Sequence, residues 1–450
     1  MNFRDHLAPM RLAEQALELG GRQILRMSTV GRPRQPARFT KPAKVDGHAF
    51  CAIDAMWDVH GQPRIIEVNG SNAGLSSLGD PEGDRWRAEH QIEAALPRIL
   101  NETRGAVLVA FAANTLIVGE ITARAFMLYE LVSKHRECQF GNSDLAPSSP
   151  FVVAVDSVEA IAAQVTKVDG RLCYRGYPVV SVGNVNLLAE LVRKGVIERH
   201  GADYDVEYDI FHDGRIAPLI HDKREQQVVA DGTGFVPIRH LDTMTVDEVV
   251  AGVQSLLREG LPAVIKPNAT SGGAGIDFFG PGATDVEIRK TLDHQVQTVM
   301  NKYGPGAEKS MWPIRVAEFA QSTGYPVGDK HHLWDMRVAC FIRPGEVEMM
   351  VCGLRLCPEP FVLGHYDRPS ACSNTTGRVP STARFRAPLA EANRPTDLMS
   401  AAGVDRKAFD QILNACAAWC EAAWHHCSAE ERHDDHAGGP PGKTGGWFAA

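Results

Sequence analysis

Three oxygen-bearing side chains near the N-terminus have the spacing to hold a hard divalent cation. Glu67 and Asn69 are two positions apart on an extended segment, so alternation puts both on one side of it. Asp58-Val-His-Gly61 reads as a turn, and a hairpin about it brings Asp54 opposite Glu67. Magnesium takes such oxygens and bridges them to phosphates. A second group follows some two hundred residues later, in Ala263-Val-Ile-Lys-Pro-Asn-Ala-Thr-Ser-Gly-Gly-Ala-Gly-Ile276. An apolar strand delivers Lys266 beside a flexible loop. Gly272, Gly273 and Gly275 let backbone N–H groups approach phosphate oxygens without a Cβ in the way. Thr270 and Ser271 add hydroxyl donors, and Lys266 is a compact neutralising charge. The loop lacks the Gly-Lys-Ser/Thr ending of one common phosphate loop and the glycine spacing of the dinucleotide fingerprint.

A strand-borne Lys-Pro followed by a Ser/Gly loop resembles the ATP-grasp superfamily, which folds such a loop over the phosphates of ATP. Asp222-Lys223, ahead of Phe235-Val-Pro237, stands where the family has its second lysine. Ile53-Asp54 with Ile65-Ile-Glu67-Val-Asn69-Gly-Ser-Asn-Ala-Gly74 resembles the family's metal-binding hairpin, which makes Asp54, Glu67 and Asn69 the implied ligands of two magnesium ions, for which manganese can substitute. Val316-Ala-Glu318-Phe-Ala320 resembles the hinge strand at the adenine, with Glu318 the implied contact. Trp334-Asp-Met-Arg337 is similar to the Asp-x-Arg strand of ribosomal-protein-glutamate ligases, and Val351-Cys-Gly-Leu-Arg355 to the strand after it. Ser373-Asn-Thr-Thr-Gly-Arg378, with Asn374, stands where those enzymes carry Ser-Asn-x-x-x-Gly, although its glycine comes one position early. Arg337, Arg355, Arg378 and Asn374 are the implied catalytic set.

The order of the pieces departs from the usual family, where the metal hairpin follows the Gly-rich loop. The resemblance therefore implies a circularly permuted ATP-grasp fold, as in relatives of glutathionylspermidine synthetase. In that arrangement residues 1–104 complete the C-terminal catalytic lobe, 222–311 form the small ATP lobe and 312–427 the large one. Residues 105–221 alternate apolar strands and helices and read as a three-layer α/β lobe, Rossmann-like, in the place of the family's preATP-grasp domain. Thr245, with Glu248 three positions on, predicts a capped helix start. Arg343-Pro-Gly345 predicts a hairpin turn, and residues 407–425 a last helix. From Ser428 the composition predicts a disordered tail.

The resemblance implies a ligase that activates a carboxylate with ATP as an acyl phosphate, passes it to an amine and releases ADP and phosphate. Amino acids or short peptides are the expected substrates. A small-molecule kinase of the same fold, or an ATP-binding sensor or scaffold without catalysis, remain the other readings. A net charge of -8 argues against a nucleic-acid surface, and no apolar run predicts a membrane span. Ten scattered cysteines, many in apolar runs, fit reduced thiols in a cytoplasmic protein, with a homodimer left open. Cys416 and Cys420 are one helical turn apart, but nothing beside them in sequence completes a metal set.

Overall fold

The computed structural model describes residues 24–25, 36–41, 47–70, 81–111, 118–141, 146–183, 185–198, 210, 214–267, 275–303, 307–357, 359–372 and 399–437. The chain divides into two compact units, and the division is not a single cut. One unit contains residues 22–69 and 215–450, the other residues 1–21 and 70–214.

In chain order, the first unit begins with two short strands, β1 (Ile24–Leu25) and β2 (Ala37–Arg38), then the hairpin β3 (Ala49–Trp57) and β4 (Pro63–Asn69). Asp58 organises the turn: its Oδ1 accepts from the backbone N–H groups of His60 and Gln62, both at 2.9 Å.

The second unit follows: α1 (Pro81–Asn101), β5 (Gly105–Phe111), α2 (Val118–Ser133), β6 (Cys138–Gly141), β7 (Phe151–Ser157), α3 (Val158–Ala162), β8 (Val165–Val168), β9 (Arg171–Tyr174), β10 (Tyr177–Val182) and α4 (Val185–Arg193). Its sheet runs β6-β7-β5-β10-β9-β8, parallel through β10 and antiparallel beyond. Period-two alternation sends Val107, Val109 and Val153 to one face, against Ile121, Ala125, Leu128 and Val132. It sends Ala106, Leu108, Val152 and Ala154 to the other, against Ile161, Leu187 and Leu191. Helices on both sides explain why these strands are apolar throughout. Helix α1 packs here through Ile92 and Ile99, so the unit boundary falls after Asn69 and not near 104.

The chain then returns to the first unit with α5 (Ala217–His221), α6 (Lys223–Ala230), β11 (His240–Thr243), α7 (Val246–Arg258), β12 (Ala263–Pro267), β13 (Asp277–Phe279), α8 (Asp285–Tyr303) and β14 (Ile314–Glu318). A smaller antiparallel sheet, β11-β14-β12-β13, is covered by α7 and α8 through Val249, Val253, Ile288 and Leu292. Helix α7 starts in a complete capping box between Thr245 and Glu248. Last come the small hairpin β15 (Tyr325–Val327) and β16 (Lys330–His332), the long hairpin β17 (Trp334–Arg343) and β18 (Glu346–Leu356), α9 (Arg368–Ala371) and α10 (Arg406–Ala437). Helix α10 is helical well past Ser428, as far as Ala437, where composition alone predicts disorder. Its buried Trp419 and Trp424 anchor it to the sheet's core.

The large sheet of this unit runs β1-β18-β17-β3-β4, with β2 also on β18. The N-terminal hairpin thus docks antiparallel on a strand almost three hundred residues later, with Asp54 opposite Arg337 and Cys51 opposite Cys340. Two β-bulges lie at the same level, one after Asp54 in the β3–β4 pairing and one after Arg337 in β17–β18. Bulges bend a strand and re-aim its side chains, and they concentrate near functional sites.

Candidate functional site

The level of the two bulges carries a buried ionic network. Asp54 is 2% exposed, and both its oxygens are occupied. Oδ1 accepts from Arg337 Nε at 2.7 Å, and Oδ2 from Arg337 Nη2 at 2.8 Å, a two-pronged contact that matches the planar guanidinium. Arg355 Nη2 lies 2.7 Å from Oδ2, and Arg355 Nε donates to Asp335 at 2.5 Å. Asn69 Nδ2 adds a bond to Asp54 Oδ2 at 2.8 Å. Burial pushes the Asp54 carboxyl up, but the charges and hydrogen bonds of Arg337 and Arg355 outweigh it and hold it below the usual carboxylate range. Burial lowers the Arg355 value, and the charges of Asp335 and Asp54 more than reverse that, so the guanidinium stays charged.

Beside this network, Glu67 faces Lys223, whose Nζ lies 3.3 Å from Oε1. Lys223 opens α6, with Asp222 as its N-cap accepting from the N–H groups of Arg224 and Glu225. Two glutamines of the same helix clamp the edge of the sheet. Gln226 Oε1 accepts from Val68 N at 3.0 Å while its Nε2 donates to Val68 O at 2.9 Å; Gln227 Nε2 donates to Ile65 O at 3.1 Å. The helix satisfies backbone groups that an edge strand would leave open. It also sets Lys223 and Glu67 in mutual reach.

Lys266 comes from β12, where Arg315 of β14 is its cross-strand partner. Arg315 bonds Asp242 at 3.1 Å and donates to the backbone carbonyl of Lys223, tying the small sheet to the start of α6. Burial, then the charge of Lys223, lowers the Lys266 ammonium to about 8, with Glu67 acting in the opposite sense. A bound polyanion would relieve both unfavourable effects. Gly275, the last glycine of the loop, has φ +75 and a Cβ there would meet Pro267 Cγ at 2.7 Å, so this turn demands glycine.

Glu318 accepts from Arg64 Nη1 at 3.1 Å, and Arg64 also binds Asp58 at 2.7 Å and the carbonyl of Pro237 at 3.0 Å. Ile238, Val264 and Ala317 form a small apolar cluster next to it, backed by Ile276, Phe278 and Ala320. A cavity of about 460 Å³, lined by Trp57, Pro63, Thr233, Gln411 and Ala415, shares none of these charged groups.

No protein-family model and no curated protein matches the chain. Among solved structures, a protein of Methylobacillus flagellatus KT, provisionally named as a gamma-glutamylcysteine synthetase, aligns over 94% of this chain and 95% of its own at 11% identity, with a TM-score of 0.43. D-alanyl-alanine synthetase A of Vibrio cholerae aligns over 53% of this chain and 67% of its own, also at 11% identity, with a TM-score of 0.29. At those values neither likeness carries functional weight, and the reading rests on the residues themselves.

Asp54, Glu67, Asn69, Arg337 and Arg355 stand together on the large sheet, with Lys223 paired to Glu67 and Lys266 on the small sheet opposite Arg315, which donates to the Lys223 carbonyl. Glu318 lies apart from them, at the Arg64 end of β4. Ser271, Gly272, Gly273, Asn374 and Arg378 fall outside the described residues. Sequence reasoning missed Asp335, Arg64, Arg315 and the two glutamines. Asp335 was legible as the first residue of Asp-x-Arg, and Arg315 as a lone charge in the apolar run Ile314-Arg-Val-Ala. Gln226 and Gln227 carry no sequence signal, because only the docking of α6 on β4 gives them partners. As oxygen donors for a hard cation, Glu67 and Asn69 fit: Asn69 turns its amide nitrogen to Asp54, so its carbonyl oxygen points elsewhere. Asp54 joins such a set only through an oxygen it already shares with a guanidinium. Among the described residues, no helix is long and apolar enough to cross a membrane.

Proposed function

We propose that this chain is an ADP-forming carboxylate–amine ligase of the circularly permuted ATP-grasp type. The observation that carries the reading is the Lys223–Glu67 ion pair at the edge of the buried Asp54–Arg337–Arg355 network, with Lys266 opposite Arg315, which donates to the Lys223 carbonyl. Two lysines and a carboxylate are a ready site for a polyphosphate with its cation: the lysines take phosphate oxygens, and the carboxylate turns to the metal. The apolar cluster of Ile238, Val264 and Ala317, next to Glu318, suits a purine ring and a ribose. Glu67 and Asn69 would hold magnesium, which when bound neutralises phosphate charge.

The substrate carboxylate attacks the γ-phosphorus, the bond to the β,γ-bridging oxygen breaks, and ADP leaves. The amine then attacks the acyl phosphate carbon and expels phosphate. Arg337 and Arg355 each commit Nε and Nη2 to Asp54 or Asp335, which leaves Nη1 of each for oxygens on which charge builds. In this reading Asp54 sets the two guanidiniums in place. Amino acids or short peptides are the substrate class, because two fixed guanidiniums favour a small acid brought in beside the phosphates.

The test is ADP release with magnesium and ATP across a panel of amino acids and short peptides, with mass spectrometry of products. Release that needs both an acid and an amine, with a product one water lighter than their sum, supports the ligase. A stable phosphorylated product formed without an amine would replace it with a kinase. Nucleotide binding with no turnover on any pair would favour a sensor.

A further inference from the structure

The face of the large sheet opposite Asp54 and Arg337 buries a second constellation. Cys51 on β3 and Cys340 on β17 are direct cross-strand partners. Helix α10 lies over them and presents Cys420. The three sulfurs lie within 4.8 Å of one another, and all three residues are fully buried. None is in a disulfide. Cys416 is one turn earlier on α10, also fully buried and in the same core cluster, but outside the three sulfurs that lie within 4.8 Å, so it joins them only by turning its side chain. Residues four apart on a helix share a face.

A single buried cysteine is an ordinary small apolar residue. Three sulfurs from positions 51, 340 and 420, brought to one point by two strands and a helix, are a different arrangement. Zn–S bonds of about 2.3 Å put tetrahedral sulfurs about 3.8 Å apart. Among Cys51, Cys340 and Cys420 the spacing needs each pair to close by about 1 Å at most, a side-chain rotation rather than a backbone move. All donors are soft, so magnesium, calcium and manganese are excluded from this point. The surroundings are apolar, with Ile53, Val338, Ile342 and Ala423 in the same cluster, which closes the site to substrate and marks it as structural.

We propose that Cys51, Cys340 and Cys420, with Cys416 as fourth donor, form a closed thiolate site for a soft closed-shell cation that fastens α10 to the large sheet. Zinc requires the fourth sulfur; copper(I) is satisfied by three. Each coordinating thiol releases one proton to solvent, each sulfur gives an electron pair to the metal, and nothing is oxidised or reduced. The site is independent of the ligase reading, since it shares no residue with the nucleotide side of the sheet.

The full-length protein, expressed with zinc and copper in the medium and purified without chelator, is assayed for metal by mass spectrometry. We expect about one equivalent of zinc or copper per chain, falling below about one tenth in Cys340→Ala and in Cys420→Ser, and unchanged in Cys138→Ala, whose thiol lies in the other unit. Cys416→Ser separates the cations: it abolishes zinc and spares copper(I). Because a core variant can fail to fold, wild-type protein stripped of metal and given Co2+ supplies a second readout. Intense sulfur-to-cobalt charge-transfer absorption is expected. Wild-type protein that holds neither metal, takes up neither added Zn2+ nor Cu+, and shows no such band with Co2+ overturns the proposal. So does a metal retained in full by a folded Cys420→Ser variant.

Discussion

The two faces of the large sheet come from the same strands and have opposite chemistry. On β3, Asp54 points to one face and Cys51 and Ile53 to the other; on β17, Arg337 does the first and Val338 and Cys340 the second. One face is a network of paired charges. The other is apolar with thiols, sealed by α10. Both are almost fully buried, so burial does not distinguish them. The difference lies in what holds each together. The apolar face is stabilised by contacts that any well-fitting side chain could partly replace. The charged face depends on every partner being present, because a buried charge without its counterpart is strongly unfavourable.

That contrast can be tested from its largest consequence down. Asp54→Ala leaves Arg337 without its carboxylate and Arg355 with Asp335 alone, and should cost about 3–5 kcal/mol in urea unfolding. A loss under about 1 kcal/mol would mean the guanidiniums find water, and the network is not a unit. Ile53→Ala, one residue away on the other face, should cost about 2–4 kcal/mol through the cavity it opens.

The two losses should also part in acid. The Asp54 carboxyl titrates lower in the folded state than in the unfolded chain, so the stability it supplies is fully present above about pH 4 and is lost as pH falls through its lowered folded value. Asp54→Asn should therefore flatten the acid limb of stability against pH, while Ile53→Ala keeps the wild-type slope. Equal slopes in all three proteins would remove Asp54 from the account.

A smaller effect belongs to Lys266. Its value of about 8 in the free protein means that a bound polyphosphate restores a proton. Triphosphate binding should take up a proton above pH about 8 and weaken there by up to about tenfold per unit, about 1.4 kcal/mol. Calorimetry in two buffers of different ionisation enthalpy would reveal it, and buffer-independent heats at pH 9 would take Lys266 away from the phosphates. Smallest in stability is Lys223→Met. Its pair with Glu67 is partly exposed and should matter by only about 0–1 kcal/mol, while triphosphate affinity falls at least about tenfold. A variant that unfolds easily but binds normally would assign Lys223 to structure instead.

The sequence by itself determined the local chemistry. Period two put Glu67 and Asn69 on one side of β4, Asp58 and Gly61 made the hairpin turn, and Thr245 and Glu248 capped a helix. These are short-range consequences of backbone geometry, and the residue types suffice to read them. Tertiary structure decided the partners. That Asp54 meets Arg337 depends on a strand pairing across 283 positions. That Gln226 clamps Val68 depends on where α6 docks. In sequence, Cys416 and Cys420 have no companions; in the fold, a cross-strand register brings Cys51 and Cys340 to Cys420. Local sequence carries no record of such meetings, because they are selected by burial summed over a whole sheet, and a shift of one residue in register would exchange its two faces.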